Sequence, residues 1–123
     1  MEAGTLQKAK LAAKLDLIRE YWKPKIVAEL NDSYVKLVKL KGEFVWHHHD
    51  REDELFLVLK GKLRIELRDE TLQLEKGELA VIPRGADHRP IADKEVHVLL
   101  LEPKTTRNTG EVRNEKTVEA EWI

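Results

Sequence analysis

Apolar and polar positions change their period once along this chain. Leu11, Leu15, Ile18 and Trp22 recur at alternate spacings of four and three, which aligns them on one helical face. That stripe predicts an N-terminal helix over residues 5–22. Pro24 ends it, because proline lacks the amide donor and disfavours helix in the residue before it. Beyond Pro24 the period falls toward two. Strands are expected at Lys25–Leu30, Tyr34–Leu40, Phe44–His49, Glu54–Leu59, Leu63–Arg68, Thr71–Leu74, Leu79–Ile82 and Val96–Leu101. Asn31-Asp32-Ser33, Gly42, Gly61, Asp69-Glu70, Lys76-Gly77 and Ala92-Asp93-Lys94 punctuate them as turns. Strands this short and regularly spaced predict an all-β sandwich or barrel.

The strands differ in how many faces they bury. Leu63, Ile65 and Leu67 alternate with Lys62, Arg64, Glu66 and Arg68, so that strand has a dry face and a wet one. Leu55 to Leu59 and Val98 to Leu101 are apolar on both faces. Their outer side needs a cover, and the N-terminal helix, the tail or a second subunit could supply it. A homodimer is the preferred expectation. The tail, residues 103–123, runs through a polar stretch at Thr105 to Gly110 and turns apolar again at Val118 and Trp122-Ile123. A Trp-Ile ending is expected to dock on the barrel or on a partner.

Composition narrows the field. The 123 residues suit a single domain. A net charge of −1, without a basic stripe, predicts neither a nucleic-acid nor a membrane partner. The absence of cysteine excludes disulfides, zinc-thiolate sites and thiol nucleophiles. The opening residues Met1 to Thr5 lack the order of a secretory leader, so a soluble cytoplasmic protein is expected. No nucleophile elbow, phosphate loop or dinucleotide fingerprint occurs.

The chemistry concentrates in His47-His48-His49-Asp50-Arg51-Glu52-Asp53-Glu54 and in Pro83-Arg84-Gly85-Ala86-Asp87-His88. On an extended segment His47 and His49 point one way and His48 the other. Imidazole and carboxylate are the ligands that hold a divalent transition metal where thiolate is missing.

These two stretches resemble the motifs of the cupin superfamily. The first, His-x-His, then Glu, then Gly six residues on, is met by His47, His49, Glu54 and Gly61. The second, Gly, then Pro-x-Gly, then His, is met by Gly77, Pro83, Gly85 and His88. The resemblance spans residues 34–102. Gly42 sits one residue too close to His47, and Ala92 replaces the closing Asn of the second motif. The resemblance implies a double-stranded β-helix, the jelly-roll cupin barrel, over about residues 25–102. It also implies metal ligation by His47, His49, Glu54 and His88, and pairing into a homodimer. Small single-domain cupins that this chain resembles are often grouped with mannose-6-phosphate isomerase-like proteins, and the resemblance extends the same expectation here.

Three imidazoles and one carboxylate leave open positions on an octahedral ion. Such a set suits zinc, manganese, iron, nickel or copper. A substrate oxygen or water can take the open positions. Tyr34, Trp46, Phe56 and Arg64 are candidates for the pocket wall, while Arg84 and Arg89 could meet an anionic substrate. His48 is expected to be structural, and His97 is left out of the set. Three functions fit. One is a metal-dependent isomerase or oxygenase acting on a small oxygen-rich molecule, a sugar phosphate or organic acid. Another is a non-catalytic ligand-binding or sensing module. The last is a dimer that the metal only braces. An enzyme needs an acid or base beside the metal. Beyond the ligands, the expected inward positions look apolar, and no residue is assigned a catalytic role.

Overall fold

A computed structural model describes residues 4–123. Met1 to Ala3, on which the expectation about a leader partly rests, lie outside the described residues. The described residues form one short helix, α1 (Leu11–Leu15), and eight strands: β1 (Lys25–Leu30), β2 (Ser33–Glu43), β3 (Glu54–Lys60), β4 (Lys62–Leu67), β5 (Thr71–Glu75), β6 (Leu79–Ile82), β7 (His88–Pro103) and β8 (Glu121–Trp122). No helix among the described residues is long and apolar enough to cross a membrane.

Strand β7 joins the two halves of the barrel. Its first residues pair antiparallel with β4, from Leu67 opposite His88 to Arg64 opposite Ile91. Its later residues pair with β3, from Lys60 opposite His97 to Leu55 opposite Leu101. Along its other edge β2 runs nearly the whole way, from Ser33 opposite Pro103 to Glu43 opposite Ile91. Strand β5 extends one half beyond β4, β6 extends the other beyond β3, and β1 continues from β2. Inward residues of both halves, among them Val38, Val58, Leu63, Ile65, Val96 and Val98, form one buried core. This is the jelly-roll arrangement expected.

Three expected elements are redrawn. The helix over 5–22 shrinks to Leu11–Leu15. Lys10 makes no side-chain cap there, and a helix that short draws little stability from its own hydrogen bonds. The apolar stripe is instead spent on two surfaces. Leu11, Leu15 and Ile18 pack on the outer face of the sheet with Val27 and Leu37. Trp22 adopts a left-handed φ of 63°, donates its amide to Lys39 and its indole Nε1–H to the Lys41 carbonyl, and stacks on Phe44. The strand expected at Phe44–His49 is only an extended segment with one bridge, at His47 and His88. The turn expected at Ala92-Asp93-Lys94 lies inside β7. The register against β2 slips there, from Leu40–Val96 to Gly42–Ala92, so the extra residues form a bulge where the strand changes partner.

The tail returns to its own barrel. Glu121 and Trp122 run parallel to β1, Ile123 donates its amide to the Ile26 carbonyl, and Lys14 donates to the Ile123 carbonyl. Ile123 and the N-terminal segment together cover Leu59 and Leu99. Farther along the outer face, Leu55, Leu57 and Leu101 stay half-buried beside Leu79 and Val81, which are 58% and 53% exposed.

The loop before the tail also clamps the 47–49 segment. Gly110 takes φ +59° with its Cα against the backbone of His48; a Cβ there would lie 2.0 Å from the His48 carbonyl oxygen. Gly110→Ala is therefore expected to lower stability by about 2–4 kcal/mol, from left-handed strain plus a contact that cannot be made without moving backbone. Urea unfolding of the variant measures this; an unchanged midpoint would show that the loop does not bear on His48.

Candidate metal centre

Two peptide hydrogen bonds bring the two histidine stretches together. The His47 amide donates to the His88 carbonyl at 3.0 Å, and the His88 amide returns the bond at 2.9 Å. The Gly85 amide donates to the His49 carbonyl, which ties the Pro-Arg-Gly turn to the same segment. Although 44–49 is not a ladder strand, its alternation survives. His47 and His49 are buried, while the His48 side chain is 41% exposed, with its Nε2 3.0 Å from Asp50 Oδ1. Glu54 enters as the first residue of β3 and His88 as the first of β7.

His47, His49, Glu54 and His88 converge in the interior, with one donor atom from each lying within 4.8 Å of the others. The Nδ1 atoms of His47 and His88 lie 2.9 Å from the carbonyls of Val45 and Ala86. A carbonyl only accepts, so Nδ1 carries the proton in both and Nε2 keeps a lone pair. His49 Nε2 and His88 Nε2 each lie 3.5 Å from Glu54 Oε1. Those three atoms, and His49 Nδ1, are buried with no hydrogen-bond partner. Leaving such atoms dry and unpaired costs about 1–3 kcal/mol each. A divalent cation among them would satisfy the lone pairs and balance the carboxylate. The residues present therefore fit a transition-metal ion, and the cluster could hold one.

Electrostatics keeps His47 and Glu54 in the form a metal needs. Burial, reinforced by His88, pushes the His47 imidazole down to about 4. Burial alone would raise Glu54, but its close neighbours Glu102, His49 and His88 hold it well below the usual carboxylate range. Its neighbour Glu102 goes the other way: burial, then the Glu54 charge, lifts it well above that range, with Lys36 opposing.

Glu102 and Lys36 correct the expectation that the remaining inward positions are apolar. Lys36 Nζ donates to Glu102 Oε1 at 2.8 Å, and both side chains are almost wholly buried. Glu102 Oε2 is a further buried oxygen with no hydrogen-bond partner. The signal was present in the strand period. Glu102 follows Val96, Val98 and Leu100 on one face of β7, and Lys36 precedes Val38 and Leu40 on one face of β2. The expected β7 stopped one residue short of Glu102.

A cavity of about 40 Å³ adjoins His47, Glu54 and Glu102. Phe56 lines it, together with Trp22, Phe44 and Asn108, which were not expected there. Tyr34 faces a separate, larger cavity. The other two expected wall residues lie elsewhere. Trp46 holds the Arg68 guanidinium 3.9 Å from its ring centroid, outside the cavity. Arg64 pairs with Asp93 on the wet face of β4. Arg84 and Arg89 are engaged by Asp53 and Glu66, so neither awaits an anion. His97 bonds Glu95, away from the cluster.

The family described as Cupin domain matches residues 35–102, more than half of the chain. The chain belongs to the cupin family. A cupin-2 domain containing protein from Shewanella frigidimarina is 43% identical, with a TM-score of 0.76 over 77% of this cupin and 93% of that chain. Protein NMB1881 from Neisseria meningitidis is 30% identical, with a TM-score of 0.74 over 79% of this chain and 99% of its own. Among curated proteins, Uncharacterized protein YdbB of Bacillus subtilis is 45% identical over 64 residues. The matched region covers 51% of this cupin and only 57% of that relative's length.

The His47 shift gives a pH signature. An unfolded histidine near 6.5 binds its proton before one held at about 4 does, so protons favour the unfolded chain between those values. This contribution makes metal-free stability rise as pH climbs from about 4 to about 6.5 and level off above, by on the order of 3 kcal/mol in all. Urea midpoints of chelator-treated protein across that window should climb, and more steeply than those of His47→Gln. Identical slopes for the two proteins would contradict the assignment.

Proposed function

We propose that this cupin binds one divalent transition metal through His47, His49, Glu54 and His88 and uses it on a small oxygen-rich molecule. What carries the reading is the convergence of buried, unpartnered donors on one point. Zinc, manganese, iron, nickel and copper all suit the set. A bound ion would supply Lewis-acid polarisation of a ligand oxygen.

Glu102 tilts the reading toward an enzyme. Its carboxyl lines the cavity with His47 and Glu54, and Lys36 holds its other oxygen. Oε2 is then a position from which a proton could be given to, or taken from, a ligand beside the metal. Trp22 and Phe44, stacked with centroids 4.8 Å apart, wall the cavity and keep bulk water back. Proton shuttling of this kind suits isomerisation of a hydroxy-carbonyl compound, a sugar phosphate or organic acid, in line with the mannose-6-phosphate isomerase-like resemblance. A second reading, a metal that only braces the fold, is favoured by the small free volume beside the ligands, about 40 Å³.

The test combines elemental analysis with solvent exchange. Wild type from its native host should carry one metal per chain, and metal-loaded protein should exchange carbon-bound hydrogen of small hydroxy-carbonyl compounds with deuterated water. His49→Ala should lose the metal. Glu102→Gln should keep it while exchange falls by about 10²–10⁴-fold. Wild type without stoichiometric metal would remove the site; metal without exchange would leave the brace.

We also propose that the chain pairs with a second copy through Leu55, Leu57, Leu79, Val81 and Leu101. They continue an outer face whose other part the chain covers with its own ends, and an isologous contact would bury them mutually. Light scattering should give twice the chain mass, and Leu79→Glu with Val81→Asp the single mass. A monomeric wild type at micromolar concentration would reject the dimer.

A further inference from the structure

A second cavity lies apart from the four candidate metal ligands. It holds about 470 Å³ between β1, the start of β2, the loop 104–108 and the tail. Its lining carries three cations, Lys36, Lys104 and Arg107, against a single carboxylate, Glu119. Lys104 is already engaged by Glu29. Lys36 is different. Its side chain is 95% buried, being 5% exposed, and only one of its three ammonium donors is used in a side-chain bond, by Glu102. Arg107 has no carboxylate partner among the described residues; its one side-chain bond is a long one, 3.3 Å, to the Gly110 carbonyl. Thr106, also in the lining, keeps a buried hydroxyl with no partner at all. A buried hydroxyl and a buried ammonium with spare donors are costly unless something accepts from them.

We propose that this cavity is a binding site for a small oxyanion-bearing molecule, gripped at its anionic end by Lys36, Thr106 and Arg107. Tyr34 and Trp122, packed edge to face with centroids 5.8 Å apart, form an apolar wall for its carbon skeleton. Charge-assisted bonds from ammonium and guanidinium are the strong kind, and a guanidinium matches carboxylate or phosphate with two parallel donors. The tail's return to β1 serves the same end, since Val118, Glu119, Ala120 and Trp122 close the cavity's far side. None of the four candidate metal ligands lines this cavity, so the anion binds whether or not a metal is present.

Calorimetric titration of chelator-treated protein with inorganic phosphate and with malonate, at constant ionic strength, tests this. Saturable one-site binding of at least one of them is expected, and the tighter of the two identifies phosphate or carboxylate as the recognised group. Arg107→Gln should weaken it at least about tenfold, the loss of a charge-assisted bond. Thr106→Val, which leaves both charges in place, should weaken it as well. Lys36→Met removes one partner of a buried ion pair and can fail to fold; the other two variants do not share that hazard. No saturable binding, binding unchanged in both Arg107→Gln and Thr106→Val, or binding that needs the metal restored would each overturn the proposal. The last outcome would leave the metal site standing.

Discussion

The pairing of β7 with three other strands is the constraint on which the rest of this molecule depends. One continuous strand hydrogen-bonds to β4 with its first residues, to β3 with its last, and to β2 along both. Because side chains alternate along a strand, a single register places His88, Val96, Val98, Leu100 and Glu102 inside the same barrel. A slip of one residue would turn all of them outward and exchange them for Arg89, His97 and Leu99. The bulge between Ala92 and Val96 lets one strand serve two sheets without losing that phase.

The interior so built is unusually polar at one end. Lys36, Glu54, Glu102 and three histidines are all buried there, below a core that is otherwise apolar. Burying such groups is unfavourable unless each finds a counterpart. Part of the balance is internal: Lys36 pairs with Glu102, and two imidazoles with carbonyls. What stays unpaired is a set of lone pairs facing one another. A fold that tolerates this keeps a site at a cost in stability, the usual sign that binding and not packing chose the residues.

Local patterns decided correctly wherever one strand's own period carried the information. Leu63-Arg64-Ile65-Glu66-Leu67 reads as a half-wet strand and is one. The cluster that could hold a metal was legible for a similar reason. His47 and His49 share a side by alternation alone, and the spacing of Glu54 and His88 from the turns at Gly61 and Pro83-Arg84-Gly85 matched a known pair of motifs. The helix over 5–22 failed because its stripe was real but its partner was not a single surface. Ile18 belongs to the outer sheet and Trp22 to the cavity roof, and one straight helix cannot serve both. Ala92-Asp93-Lys94 failed because a polar bulge and a turn have the same composition.

Residue order alone thus set most of the strands and the inward phase of the half-wet strand β4, which follow from short-range periodicity, and, through two motifs that resemble a known family's, the four metal-binding candidates. It could not tell that Lys36 and Glu102 face each other, that Gly110 presses on His48, or that the tail walls a cationic cavity beside Tyr34. Those facts are distances between residues many positions apart along the chain. They come into being only when β7 has found β2 and β3 and the ends of the chain have closed over the barrel, because cross-strand register and loop closure are properties of the assembled sheet and of no single segment.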